Sequence, residues 1–145
     1  MDRRSKHSGF SLIEIMVVLV IMGLLVGIVA PNVLKNVDDA NVKTVYADFR
    51  SIETSLKLYR LDNFVYPSTE QGLSALVEKT ALEPVPRKFP QSGYLDDLPT
   101  DPWQREYVYI SPGESHDYDL ISYGADGVPG GEGQNADLNV WNKPE

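Results

Sequence analysis

The sequence contains no cysteine and only two histidines among its 145 residues. Without cysteine the chain forms no disulfide, and with so few histidines a zinc cluster is excluded. Basic residues are also scarce, since 13 Lys and Arg face 21 Asp and Glu for a net charge of −8. That balance argues against a nucleic-acid partner. If a chain of this size is exported, the absence of disulfides means that its loops need another form of stabilisation.

Motifs for catalysis are also missing. Residues 115 to 117 read "SHD", which are the residue types of a hydrolase triad, but adjacent residues do not readily converge in that geometry. There is no G-x-S-x-G elbow around a nucleophile. Residues 131 to 136 match G-x-G-x-x-A, yet a glutamate sits inside the match and no convincing helix follows. We therefore predict that the chain is not an enzyme.

What the chain does have is one long apolar run. The basic stretch "MDRRSKHSG" comes first, and Ile15 to Leu34 then gives twenty residues without a charge. As a helix this run is about 30 Å long, which matches a bilayer core. The basic N-terminus favours the cytoplasmic side, and no A-x-A-like cleavage site follows the run. The pattern predicts a single-pass anchor with its N-terminus inside and its C-terminal part outside.

Residues 9 to 14, "GFSLIE", place Glu14 near the start of the apolar segment. A charge there is costly unless it is reached by water, neutralised or paired. The motif resembles the processing site of type IV pilin-like precursors. That resemblance implies cleavage between Gly9 and Phe10 by a prepilin peptidase, followed by N-methylation of Phe10. Glu14 would then pair with the new amine and fix how subunits stack in assembly; the alternative is that Glu14 snorkels to the lipid headgroups.

Downstream of the apolar run the helical pattern becomes amphipathic. Its apolar positions recur at alternating steps of three and four: Val42, Val45, Phe49, Ile52, Leu56 and Tyr59. This seam predicts one helix from about Ser11 to Leu61 whose second half packs on the C-terminal domain. Asn63 is predicted to take a left-handed cap, and Pro67 prevents the helix from continuing.

The remaining residues are rich in glycine and proline, and the predicted elements are short. Ser68 and Gln71 have capping-box spacing, which predicts a second short helix. Alternation predicts an antiparallel strand pair at 106–111 and 117–124, with a further strand at 138–141. The fold class is therefore α+β: a long N-terminal helix, with a membrane-spanning first half, packed against a small C-terminal antiparallel sheet. The predicted domains are a leader at 1–9, a transmembrane and filament-core half of the helix at 10–34, an amphipathic half at 35–62 and a periplasmic globular domain at 63–145.

Three further stretches resemble the major pseudopilin family of type II secretion: "LDNFVYPSTEQGLSALV", "GYLDDLPTDPW" and "YGADGVPGGEGQNAD". The resemblance implies a pilin-like fold and a structural subunit that polymerises into a periplasmic pseudopilus driving secretion of folded exoproteins. It implies an inner-membrane location, with membrane lipid around the helix before assembly. The implied partners are other copies of the chain, minor pseudopilins, the prepilin peptidase and the inner-membrane assembly platform.

Two other functions stay open at this point. One is a type IV pilin of a surface fibre, although such pilins usually close their C-terminal region with a disulfide that this chain cannot form. The other is a monomeric, signal-anchored periplasmic binding module. The family pattern is also broken at one place, where residues 101 to 107 read "DPWQREY" and the resemblance leads us to expect "DPWGNPY". Gln104 and Arg105 therefore make the local turn differ from the family pattern.

The loop "YGADGVPGGEGQNADL", residues 123 to 138, combines glycines with negative charge. Its acidic groups repel one another unless a cation joins them, although composition alone describes a flexible acidic loop equally well. The order of an EF-hand is absent. The pseudopilin resemblance implies calcium, a cation that prefers carboxylate and carbonyl oxygens. The implied ligands are the side chains of Asp126 and Asp137 and the carbonyls of Tyr123 and Val128, with Glu132 and Gln134 as further candidates.

Overall fold

The computed structural model describes residues 9–142, except for the side chains of residues 29–35. Most of the predicted leader therefore lies outside the described residues. The main element of the described structure is one α-helix, α1 (Leu12–Asn63). The chain divides into two compact units, with the boundary between Asp38 and Asp39. The predicted single long helix is confirmed, and its ends lie within two residues of the predicted ones.

The first unit, as far as it is described, consists of the helix from Leu12 to Asp38 and the three residues before it. Every apolar side chain longer than alanine is exposed from Phe10 to Ile28. Within the part of the chain that the structure describes, no helix is long and apolar enough to cross a membrane. The predicted run from Ile15 to Leu34 falls partly on residues 29–35, whose side chains are outside the described ones.

The second unit has its core along one face of α1. The predicted seam is confirmed, because five of its six side chains are completely buried and Val42 is partly buried against them. Aromatic rings extend this core, for example where Phe49 meets Tyr107 with centroids 5.3 Å apart in an edge-on arrangement. The core also takes in Leu76, from a short 3-10 helix, and Leu120, from the sheet.

The left-handed cap at the C-terminal end of α1 lies one residue later than predicted. Asn63 does not take the left-handed conformation; the following Phe64 does, with φ of 69°. The Phe64 amide donates to the carbonyl of Arg60 at 2.7 Å, which is the bond of a left-handed helix cap. Asn63 stays helical because its side chain is buried and bonded: its amide group donates to the carbonyl of Tyr59 at 3.1 Å.

The sheet has three antiparallel strands in the order β1-β2-β3. They are β1 (Val108–Ile110), β2 (Asp119–Ser122) and β3 (Leu138–Asn139). Tyr109 lies opposite Leu120, and both are buried. All three predicted strands are confirmed, but each is shorter than predicted. Glu106 instead forms an isolated bridge with Thr100, and Gly124, at φ of 60°, lies just beyond β2.

The second predicted short helix is confirmed as a 3-10 helix, which begins only after its capping box. Ser68 N donates to Gln71 Oε1 at 2.9 Å, and Gln71 N donates to Ser68 Oγ at 3.2 Å. Gly72 then adopts φ of 61° and ψ of −171°, which no α-helix contains. The chain resumes as a 3-10 helix at Leu73–Leu76. The glycine therefore ends the helical path as soon as the cap is formed.

Two buried tyrosines provide a test of the core. Tyr59 Oη is buried and has no hydrogen-bond partner within the described residues, whereas Tyr109 Oη donates to the carbonyl of Pro67 at 2.8 Å. Removing an unpaired hydroxyl relieves a desolvation cost, while removing a paired one leaves its acceptor without a hydrogen bond. We expect Tyr59→Phe to preserve or raise the free energy of unfolding, and the control Tyr109→Phe to lower it by about 1 kcal/mol. Urea unfolding of the detergent-solubilised chain, followed by tryptophan fluorescence, measures both; equal losses would contradict the prediction.

Candidate functional site

The segment before α1 holds the predicted processing residues. Gly9 and Phe10 lie outside the helix, and Phe10 is 80% exposed. A Cβ added at Gly9 would have no atom within 4 Å. Nothing in the described residues therefore requires glycine at this position on steric grounds. Any such requirement comes from a molecule that approaches the segment from outside.

Glu14 lies in the first turn of α1 and bonds to the helix start. Its Oε2 accepts a hydrogen bond from the backbone amide of Ser11 at 3.4 Å, and the amide of Glu14 donates to the carbonyl of Ser11 at 3.1 Å. This is the return arm of a capping box, whose S-x-x-E pattern is visible at 11–14 but was not used in the prediction. A carboxylate here also meets the positive end of the helix dipole. Glu14 thus has a structural partner within its own chain, and its pairing with a processed Phe10 stays a prediction.

The loop at residues 123–137 closes on itself by backbone hydrogen bonds. The amide of Ala125 donates to the carbonyl of Gln134 at 2.8 Å, and that of Gly127 donates to the carbonyl of Tyr123 at 3.1 Å. A short 3-10 helix, Gly133–Asn135, forms the returning side. At Gly124 a Cβ would lie 2.8 Å from the carbonyl oxygen of Gln134, so the two sides approach too closely for any larger residue.

The predicted calcium ligands all lie in this loop. Asp126 Oδ1 accepts from the amide of Val128 at 3.2 Å, and Asp137 Oδ2 accepts from the amide of Gly130 at 2.9 Å. The second bond joins the returning side of the loop to its outgoing side. Both carboxylates are exposed, as are the side chains of Glu132 and Gln134.

The donor set has the chemistry that calcium prefers, since it consists of carboxylate and carbonyl oxygens. Among the described residues, however, no three His, Cys, Asp or Glu side chains gather as a metal-binding group. The loop thus places its two expected side-chain ligands, Asp126 and Asp137, on its two sides, and the Tyr123 carbonyl already accepts from the amide of Gly127. These residues fit calcium by type of donor, and the coordination itself stays a prediction.

The turn at residues 101–107 contacts this loop through bonds that the sequence did not predict. Asp101 is 4% exposed, and its Oδ1 accepts from the amides of Trp103 at 3.0 Å and Arg105 at 2.8 Å. Its Oδ2 accepts from the hydroxyl of Ser122, in β2, at 2.9 Å. The Arg105 side chain donates to the carbonyls of the loop residues Gly124 and Ala125 at 2.7 and 2.8 Å. The sequence "DPWQREY", in place of the family pattern, marked the position of Arg105. Nothing in the neighbouring residues indicated where the Arg105 guanidinium would bind.

The same turn is fastened to the helix by Tyr107. Its hydroxyl donates to Asp48 Oδ2 at 2.6 Å. Burial, reinforced by that carboxylate, raises the pKa of Tyr107 far above its ordinary value. The hydroxyl therefore stays protonated and acts as a structural donor.

The "SHD" stretch does not form a triad. The His116 ring stacks on Trp141 with centroids 4.2 Å apart and an interplanar angle of 12°. Asp117 Oδ2 instead accepts from the Arg60 guanidinium at 2.7 Å. Histidine and aspartate thus bind different partners, and the geometry has no nucleophile–base–acid chain.

Comparison with known proteins gives two family matches. The family described as "Type II secretion system (T2SS), protein G" matches residues 32–141. The "Prokaryotic N-terminal methylation motif" matches residues 4–30, which include the predicted cleavage position. Together the two matches extend over most of the chain.

Individual relatives agree over nearly their whole length. The chain is similar to the type II secretion system core protein G of Pseudomonas aeruginosa, at 48% identity over 96% of this chain and 98% of that protein. It is similar to the Vibrio cholerae protein of the same name, at 46% identity over 98% of this chain and 97% of that protein. A crystal structure of the major pseudopilin from the type 2 secretion system of enterohaemorrhagic Escherichia coli matches with a TM-score of 0.68 and 45% identity, covering 77% of this chain and 95% of that one.

The 101–107 turn yields a stability prediction. Gln104 has φ of 65°, a conformation that costs a residue with a Cβ about 1 kcal/mol and costs glycine little. We expect Gln104→Gly to raise the free energy of unfolding by up to about 1 kcal/mol. The control is the same change at the exposed Gln91, which has no positive φ, where added chain entropy should lower stability. Urea unfolding measures both, and a loss at position 104 as large as that at 91 would contradict the prediction.

Proposed function

This chain belongs to the protein G family of type II secretion systems, and we propose that it polymerises with other copies of itself into the periplasmic pseudopilus that drives secretion of folded exoproteins. It is a structural pseudopilin subunit and not an enzyme. The further partners that we propose are the prepilin peptidase, minor pseudopilins and the inner-membrane assembly platform. No nucleic acid is expected among them, because the net charge is −8.

The proposal that the chain assembles into a filament rests on the exposed apolar surface of the first unit. From Phe10 to Ile28 its large apolar side chains are all exposed, for example Leu12 at 80% and Ile28 at 68%. A continuous apolar surface of this kind needs a covering. We propose that inner-membrane lipid covers residues 10–34 before assembly, with the N-terminus cytoplasmic and residues 63–145 periplasmic, and that neighbouring copies cover the same surface in the filament.

Processing is proposed between Gly9 and Phe10, with methylation of Phe10. The match to the N-terminal methylation motif supports this assignment. The open surroundings of Gly9 support it as well, because the need for glycine then lies in the close approach of the peptidase to the backbone. Cleavage would remove the basic leader and leave a single new positive charge, the amine of Phe10.

Glu14 is proposed to pair with that amine, in its own chain or in a neighbour, and so to fix the register of packed subunits. A buried ion pair is weak evidence for stability, and fixing register is its best-attested use. The bond from Ser11 to Glu14 supports an intrachain pairing, because it already directs the carboxylate toward the start of the helix. Snorkelling of Glu14 to lipid headgroups is the competing role.

Calcium is proposed to bind in the loop through the carboxylates of Asp126 and Asp137 and the carbonyls of Tyr123 and Val128. Glu132 and Gln134 are additional candidates. When bound, the ion would neutralise the loop's acidic groups and supply a cross-link in a domain without disulfides. The oxygen donor set and the bond from Gly130 to Asp137 support the proposal.

The charge of Glu14 can be tested apart from its capping bond. Glu14→Gln retains an oxygen for the Ser11 amide but removes the charge, while Glu14→Val removes both. If pairing governs assembly, both variants are cleaved and methylated, yet neither forms filaments. Intact mass of the membrane-extracted protein measures processing through loss of residues 1–9 and gain of one methyl group, and electron microscopy measures filaments. Normal filaments from Glu14→Gln would show that capping alone is sufficient.

The calcium proposal predicts a stability difference. At tenfold excess over its dissociation constant, calcium should add about 1.4 kcal/mol to the free energy of unfolding. Thermal melting in calcium should therefore occur at higher temperature than in EDTA. Asp126→Ala and Asp137→Ala should abolish that difference, whereas the exposed Asp96→Ala, with the same change of charge outside the loop, should retain it. An unchanged melting temperature of the wild type across micromolar to millimolar calcium would contradict the proposal.

A further inference from the structure

We propose that Arg105 is a built-in cation of loop 123–137, whose guanidinium keeps the loop folded when no calcium is bound. The loop contains three acidic residues and no lysine or arginine of its own. Its positive charge is supplied by the neighbouring turn. Only the effect of added calcium rests on the proposed calcium site; the role of Arg105 in the calcium-free loop does not.

The guanidinium binds the loop with two donors at once. One terminal nitrogen of Arg105 donates to the carbonyl of Gly124 at 2.7 Å, and the other donates to the carbonyl of Ala125 at 2.8 Å. Hydrogen bonds from a charged donor are stronger than neutral ones, and two parallel bonds also fix orientation. Both acceptors lie just after β2, where the loop begins. Arg105 therefore holds the first residues of the loop.

The loop backbone leaves space for this side chain. Gly127 has φ of 70°, and a Cβ there would lie 2.6 Å from Cζ of Arg105. The guanidinium therefore lies directly against the glycine backbone. An alanine at this position would have to displace it.

Arg105 is presented by a fixed turn and not by a freely moving segment. Buried Asp101 accepts from the Arg105 amide, and its own amide donates to the Arg105 carbonyl at 2.8 Å. The other carboxylate oxygen of Asp101 is bonded to Ser122, one residue before the loop begins. The backbone of Arg105 is thus held by the 101–107 turn, and its side chain holds the loop.

Backbone amides of the loop report this role directly. Ala125 and Gly127 donate to carbonyls of the same loop, so their hydrogen exchange is slow only while the loop is closed. The experiment measures exchange at these amides in the full-length chain in detergent with EDTA. It compares wild type with Arg105→Gln, Arg105→Lys and Arg87→Gln, where Arg87 is an exposed arginine outside the loop and the turn.

In EDTA we expect Arg105→Gln to accelerate exchange at Ala125 and Gly127 about tenfold or more, because both charge-assisted bonds are lost. Arg105→Lys should be intermediate, since it retains the charge but not the two-pronged geometry. Arg87→Gln should match the wild type. Amides of β1 provide the control for global folding. If Arg105→Gln unfolds them too, the intermediate exchange of Arg105→Lys at Ala125 and Gly127, with β1 protected, carries the test.

Loop exchange in Arg105→Gln or Arg105→Lys equal to that of the wild type in EDTA would overturn the proposal. Added calcium should restore slow exchange in Arg105→Gln if the ion binds the same loop. Failure of calcium to do so, with no bound ion detected by calorimetry in the wild type, would remove the calcium site. The EDTA comparison would still decide the role of Arg105, so the two proposals fail separately.

Discussion

The second unit depends on the burial of one face of α1. Phe49, Leu56 and Tyr59 are completely buried there, and the 3-10 helix and the sheet contribute to the same core. Truncating such side chains typically costs about 2–5 kcal/mol, a large part of the stability of a small domain. The sheet alone has strands of only two to four residues, which would be marginal without this surface. The shorter elements are therefore stabilised by packing against this face of α1.

Buried polar side chains hold the loops of this cysteine-free chain in place. Asn63 donates to Tyr94 Oη at 3.2 Å and accepts from the amide of Lys88 at 2.9 Å. Gln71, which is 2% exposed, donates to the carbonyls of Leu82 and Pro84 at 2.8 and 2.9 Å. Asp101 provides the corresponding junction between the turn and β2. Each junction connects irregular backbone to a regular element or a cap. Each is costly to break because the polar side chain itself is buried and would be left without its hydrogen bonds.

Local pattern was sufficient for the features that depend on few neighbours. The buried seam of α1, its continuous course and the antiparallel pairing of the first two strands follow from periodicity and turn residues. The exact helix end did not follow, because the buried Asn63 side chain also bonds Tyr94 and Lys88, which are more than twenty residues away along the chain. The path of the Arg105 side chain was unpredictable for the same reason, since its acceptors are nineteen and twenty residues along the chain. The ligand residues of the loop came from family resemblance, because acidic composition does not distinguish a metal site from a solvated loop.

The position of Glu14 connects the helix start with processing. In the described chain its carboxylate already compensates the positive end of the helix dipole through the Ser11 amide. Cleavage before Phe10 would add a second positive charge, the amine, one residue from that amide. In an apolar environment neither charge is screened by water, so the demand for a negative group at this end rises on maturation. If processing and pairing occur as proposed, a neutral residue at position 14 would be tolerated in the precursor and costly in the mature, packed subunit, so its effect would fall on assembly and not on insertion.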